Sequence, residues 1–533
     1  MNGRPIDRPK LLGHNYELML GESITHFLAE YSKGSTDFSE LSSIFCRLVQ
    51  TMDDPPLEIT WFYAAVTFHS SAKLIAEEPS KKVARMLWAA KDLFHLLVSC
   101  SSPAVSRLKS VALLAPAVYR LYDIVVYCSK NGLCLNREID GLVERICSYI
   151  SMCCSNCFEG PKDGADGLTA GFADLVRVWT VDGVGERCES GDDLRVFFPL
   201  VSGQLCSGLR GGCGIGYIAG IVMIEAFLLR LCLNFGSSIS RTELKKDMQH
   251  WAVQTIAGFQ SCYFFDMLLR ILMEPSLPVT TLVSSEDEVL LQEVLYDGII
   301  LVQDPFLKSQ VWPALPSDYL KNFALMWLLV ADKAVQFARV RGDQNRAISY
   351  IDAFSRSSLP NQLIKWIMNQ THLAEKISGP TISTPKALIR WLLILADRGV
   401  RVFDNESLQL YAKEVTWKSK TGHEKLKSKP DSGKTNCSFF FFTENNWMAQ
   451  NEAEEDQEMV DWFNDPFLPT GCAGHPTDDG KSRKRQEGRP DEGEVRYKLA
   501  KFDPGDNSVG DTCLPHRDDN FNCRDEIKLQ SMV

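Results

Sequence analysis

Apolar residues recur at spacings of three and four from about residue 16 to residue 418, and strand-like alternation is scarce. That pattern predicts a mainly helical body. The clearest element begins at Ser317, where Leu320, Phe323, Trp327, Val330, Ala334 and Phe337 fall on one helical face. Ser317 is placed to cap its first turn, and Gly342 stands where a left-handed residue ends a helix. Asp343 then opens a helix through Ile351 and Phe354 that stops before Pro360. Pro360 suits the first position of the next, with Leu363, Ile364, Trp366 and Ile367 as its stripe. Thr384 and Pro385 open another over 387–398, closed by Gly399. Ser285 with Glu288 reads as a capping box before Val289, Leu290 and Val294, and Asp37 with Glu40 as a similar pair before Ile44 and Leu48. Further helices are predicted over 17–31, 57–77, 80–100, 104–128, 136–158, 215–234 and 241–273.

Short connections between such helices imply antiparallel neighbours. The predicted fold class is therefore all-α: an irregular stack of helical hairpins of the α-solenoid, armadillo/HEAT-like kind, followed by a disordered acidic C-terminal tail. Trp327-Leu-Leu-Val-Ala-Asp-Lys-Ala-Val335 resembles Trp391-Leu-Leu-Ile-Leu-Ala-Asp-Arg-Gly-Val400 with one residue inserted. Either the unit repeats or two buried helices share one vocabulary. Gly/Asp-rich stretches at 159–167 and 182–193 break the body. The expected organisation is an N-terminal helical region (1–160), a loop-rich connection (161–195), a C-terminal helical region (196–420) and the tail (421–533).

Charge sharpens that division. Residues 421–533 hold 15 Lys+Arg against 23 Asp+Glu, leaving 42 against 45 in residues 1–420. A nearly neutral body on a chain of pI about 5.5 argues against direct nucleic-acid binding over a broad surface, which needs a basic face. The N-terminus lacks an apolar secretory core. The most membrane-like stretch, 211–235, meets Glu225 and Arg230, so a buried core helix is expected there and no membrane is invoked. Seventeen cysteines, many inside apolar runs, are read as reduced thiols in the cytosol or nucleus.

Candidate chemistry is sparse. Gly214-Ile-Gly216-Tyr-Ile-Ala219 fits the dinucleotide pattern, which needs a strand just before it and a helix just after. A candidate strand at 195–201 contains Pro199, and no strand–helix series surrounds it, so glycine-permitted helix packing is the preferred reading. Asp479-Gly-Lys-Ser482 lacks the first glycine of a phosphate loop, His475 standing in its place. Cys147, Cys153, Cys154 and Cys157 read as structural thiols. In the tail, Cys472/His475 and Cys513/His516 are weak candidates for a tetrahedral zinc site, 37 residues apart and without an apolar core between them. No hydrolase elbow, zinc-protease pair or kinase signature is present. No cofactor and no enzymatic activity are expected.

Binding motifs are better defined. Lys481, Arg483, Lys484 and Arg485 form a basic cluster suited to the acidic groove of an import receptor. Trp462, Phe463 and Phe467 follow an acidic run and make a docking peptide, its acids keeping it extended and its rings free to enter a partner's pocket. Asp304-Pro-Phe306 repeats the Asp465-Pro-Phe467 tripeptide within the body. Together these features predict a non-enzymatic scaffold binding other proteins through its helical surface and tail, nuclear and also cytoplasmic. Two other classes compete: a helical enzyme or small-molecule binder using Asp192, Asp193, Arg195 and Glu225, and a cytosolic trafficking adaptor.

Overall fold

Most helices form where the apolar periodicity places them, and polar caps set several of their ends. The computed structural model describes residues 15–71, 79–101, 105–133, 137–154, 172–181, 193–210, 214–236, 240–301, 317–371 and 383–421. Over these residues the protein is all-α, with no strand. They lie in the first of two units, 1–432; the second is 433–533.

The first helices are α1 (Asn15–Ser32), α2 (Ser39–Thr51), α3 (Leu57–Ser71), α4 (Pro79–Ser99), α5 (Arg107–Ala112), α6 (Ala115–Lys130) and α7 (Arg137–Cys154). Between them and the C-terminal set come α8 (Phe172–Thr180), α9 (Asp193–Phe197) and α10 (Gly203–Arg210). The long central helix α11 (Ile215–Leu233) is followed by α12 (Arg241–Gly258), α13 (Cys262–Met273) and α14 (Ser285–Tyr296), which runs into a π-helical turn at Asp297–Leu301. The described body closes with α15 (Ser317–Val340), α16 (Gln344–Arg356), α17 (Leu359–Thr371), α18 (Pro385–Asp397) and α19 (Glu406–Thr421).

Several capping expectations are realised. Asp343 accepts from the Arg346 amide at 3.0 Å, and Thr384 from the Ala387 amide at 3.2 Å. Gly342 and Gly399 carry positive φ at helix C-termini, where a side chain would strain the backbone. The cap of α14 lies one residue upstream of expectation: Ser284 accepts from the Asp287 amide at 3.2 Å. Glu288 instead accepts from the Leu277 amide at 2.8 Å, tying the preceding turn to the helix. At α2, Asp37 accepts from the Ser39 amide at 3.1 Å.

Two helices predicted as continuous are broken. The segment over 104–128 divides at Leu113 and Leu114, because the ring and missing amide of Pro116 cannot continue α5. The segment over 241–273 divides after Gly258, where Phe259 leaves helical geometry and inserts its ring into the core. The predicted strand over 195–201 is helix α9 followed by a turn, so no sheet precedes Gly214. The loop-rich connection contains α8, whose Phe172, Leu175, Val176, Val178 and Trp179 are all buried.

One continuous apolar core joins these elements. α11 is buried around its circumference from Ile218 to Leu233 except at Arg230, and packs against α5, α6, α7, α12 and α13. It and the segment Arg107–Lys130 are long and apolar enough to cross a membrane by length and composition, yet 78% of each apolar window is buried in the fold. Successive helices pair in α2–α3, α15–α16 and α18–α19. α8 turns back onto α1 and α3, a contact that strict neighbour-to-neighbour stacking does not make. The two similar tryptophan segments fall on α15 and α18, which pack together.

Candidate functional site

Two cavities meet at the turn between α9 and α10. The first, about 900 Å³, lies between α6, this turn and the α13–α14 loop. The second, about 930 Å³, is walled by α10, α11, α13, α15 and α19. Arg195, Ser202, Gly203 and Glu274 line both, so the pair forms one trough with a waist.

The waist is held from beneath. Phe197, Phe198 and Leu200 are buried anchors of the turn. The Leu200 amide donates to Glu225 at 2.8 Å, from the fully buried face of α11. Burial pushes the Glu225 carboxyl up to about 8, against the pull of that hydrogen bond. Ser202 caps α10, and the Arg195 side chain lies over Gly203, where a Cβ would sit 3.8 Å from its Cδ.

Aromatic rings form much of the wall, and their hydroxyls are already committed. Tyr217 donates to the Leu205 carbonyl at 2.9 Å, Tyr319 to Cys262 at 3.0 Å and Tyr411 to Met273 at 3.0 Å. Tyr122 and Thr281 share a hydrogen bond of 2.9 Å across the first cavity. Burial raises the Tyr319 hydroxyl well above its ordinary value and takes Tyr411 to about 12, so both remain protonated phenols.

The carboxylates of the trough are held by the protein itself. Asp123 pairs with Arg120 at 3.4 Å, and Asp266 with Arg270 at 2.7 Å. Burial disfavours the Arg270 charge, but the Asp266 carboxylate outweighs it and the guanidinium is held above its usual range. Burial raises Glu274, with the Ser202 hydroxyl and the Lys333 charge pulling the other way. Lys333 itself donates to the carbonyls of Leu272 and Glu274 at the end of α13.

Of the four residues nominated for a central pocket, only Arg195 lines the trough. Asp193 faces Arg177 at 3.8 Å, Glu225 lies under the floor, and Asp192 is outside the described residues. Gly214 begins α11 without a side-chain cap, and Gly216 and Gly220 are where Tyr263 of α13 presses on the helix. A Cβ at Gly216 would overlap the Tyr263 ring, and at Gly220 it would come within 3.0 Å of the Tyr263 backbone. The glycine pattern is thus a close-packing device. Cys147, Cys153 and Cys154 are buried thiols outside any disulfide, and desolvation raises Cys147 and Cys153. Among the described residues no group of three metal-ligating side chains converges.

The remaining nominated residues lie outside the described residues: Cys157, Cys472, His475, Cys513 and His516; Lys481, Arg483, Lys484 and Arg485; Trp462, Phe463 and Phe467; and Asp304 with Phe306. The tyrosine walls were missed in the sequence. They come from five helices with no shared motif, and only their half-apolar, half-polar character marks them as residues for a wet surface. The chain matches no family model, no curated protein and no solved structure.

Proposed function

We propose that this chain is a non-enzymatic helical scaffold, of the stacked-hairpin kind, that binds other proteins and works in the nucleus and also the cytoplasm. The trough at the α9–α10 turn is its principal body surface. One observation carries the reading: the Tyr122, Thr281, Tyr217, Tyr319 and Tyr411 hydroxyls along the trough already serve main-chain carbonyls or each other, and the Asp123 and Asp266 carboxylates already have arginine partners. What is left for a ligand is shape, apolar ring surface and the cations Lys130 and Arg195, which suits recognition. Lys481, Arg483, Lys484 and Arg485 support entry through an import receptor, and Trp462, Phe463 and Phe467 support a second contact made by an extended peptide.

Gly203 provides the test, because a Cβ there meets nothing closer than 3.8 Å. Gly203→Trp fills the waist with a ring while the helices keep their packing. Partners recovered with the full chain from nuclear and cytosolic extracts are expected to be lost with this variant at unchanged melting temperature. Partners that remain on Gly203→Trp would remove the trough from the reading. A tagged chain carrying Lys484→Ala and Arg485→Ala is expected to leave the nucleus; unchanged distribution would remove the import half.

A further inference from the structure

The first cavity is asymmetric in charge. Its two carboxylates, Asp123 and Glu274, are engaged by Arg120 and by Ser202 with Lys333 nearby. Its two cations are not: among the described residues, neither Lys130 nor Arg195 has a carboxylate within ion-pair distance. They stand at different elements, Lys130 ending α6 and Arg195 on α9 at the waist. Tyr119 and Tyr122 line the same cavity and give it apolar ring surface. With Asp123 and Glu274 so engaged, Lys130 and Arg195 leave positive charge at the lining of this cavity.

We propose that the first cavity is a docking site for an extended acidic peptide of a partner protein: an apolar side chain seats between the tyrosines, and flanking Asp or Glu carboxylates meet Arg195 and Lys130. The proposal rests on the trough being the body's binding surface, and adds the chemistry of what it binds. Guanidinium donors match a carboxylate in two-point geometry, so Arg195 at the waist fixes the peptide's register, and Lys130 contributes as a point charge. The preference is electrostatic and weakens as salt screens it.

The experiment is a selection of random twelve-residue displayed peptides on the full chain, with Gly203→Trp as the reference and melting temperature recorded for every variant. The expected winners carry two or more acidic residues around an apolar one. Their affinity should fall about ten-fold in Arg195→Gln, further in Arg195→Glu, and less in Lys130→Gln. Winners without acidic bias that are lost on Gly203→Trp would overturn the charge proposal and leave the trough reading standing. Binding that persists on Gly203→Trp, or no enrichment over it, would take down both. Displacement of the acidic peptides by millimolar inorganic phosphate alone would show a simple anion site, and would overturn the peptide reading.

Discussion

α11 and α12 follow one another in the chain, at 19 and 18 residues, and are held in the fold by opposite means. α11 is secured by shape. Nearly every side chain is buried, and Gly216 and Gly220 let α13 approach until the Tyr263 ring rests on the helix backbone. α12 is secured by charge on top of a narrow apolar stripe of Leu244, Met248, Ala252 and Ile256. Lys245 pairs with Glu293 of α14 at 2.7 Å, and Arg346 of α16 reaches both Glu293 and Asp297. The Tyr350 hydroxyl donates to Asp297 at 2.7 Å, and Gln249 donates to its other oxygen. The π-helical turn begins at Asp297, so the wider turn coincides with this network. Steric interlock tolerates no added atom, whereas a hydrogen-bonded network tolerates changes of volume but no unpartnered group.

The sharpest way to break this comparison is Gly216→Val. The added carbons must displace Tyr263, at an expected cost of about 3 kcal/mol in denaturant unfolding. Adding Tyr263→Ala to it should recover part of the loss, since the two changes act on one contact. Costs that simply add would show that the interlock is not what holds α11.

The next effect is in pH. Glu225 titrates higher in the fold than in the unfolded chain, so its neutral form stabilises below the ordinary carboxylate range. That contribution is lost as pH climbs towards about 8. Glu225→Gln should flatten the decline in stability over this window by up to about 1.4 kcal/mol per pH unit. A parallel pH profile for the two proteins would contradict the buried-acid account.

Tyr350→Phe tests the charged side and should cost about 1.5 kcal/mol, by stripping a hydrogen bond from a buried carboxylate. The loss should be nearly independent of salt. Smallest is Arg241→Ala at the rim of the same interface, where Arg241 meets Asp287 at 2.7 Å while more than half exposed. It should cost about 0.5 kcal/mol at low salt and nothing measurable in high salt. Equal salt responses from Tyr350→Phe and Arg241→Ala would erase the distinction between core network and rim.

Local signals account for what could be read without coordinates. Asp343, Thr384, Gly342 and Gly399 act within a few residues of themselves, and their roles follow from sequence spacing. Where the outcome depended on a distant partner, spacing was insufficient. The break at Phe259 exists because its ring finds the core, and α8 is helical between two Gly/Asp-rich stretches because it packs on α1 and α3. The glycine pattern at Gly214 was correctly read as packing, but Tyr263 could not be named from it. Arg195 was singled out in the wrong company, since Asp193 and Glu225 face elsewhere. The trough is assembled from at least six elements that no contiguous motif connects.

The all-round burial of α11 has a consequence during synthesis. A ribosome that has just released Ile215–Leu233 has not yet made α12 or α13, two of the five helices that cover it. For the seconds that translation needs to supply them, the nascent chain displays a greasy cylinder long enough to be mistaken for an anchor. Glu225 and Arg230 then act as a deterrent, since each ionised group in such a segment adds up to about 3 kcal/mol to the cost of partitioning into lipid. The acid that later pins the floor of the trough would first help keep its own helix out of the bilayer.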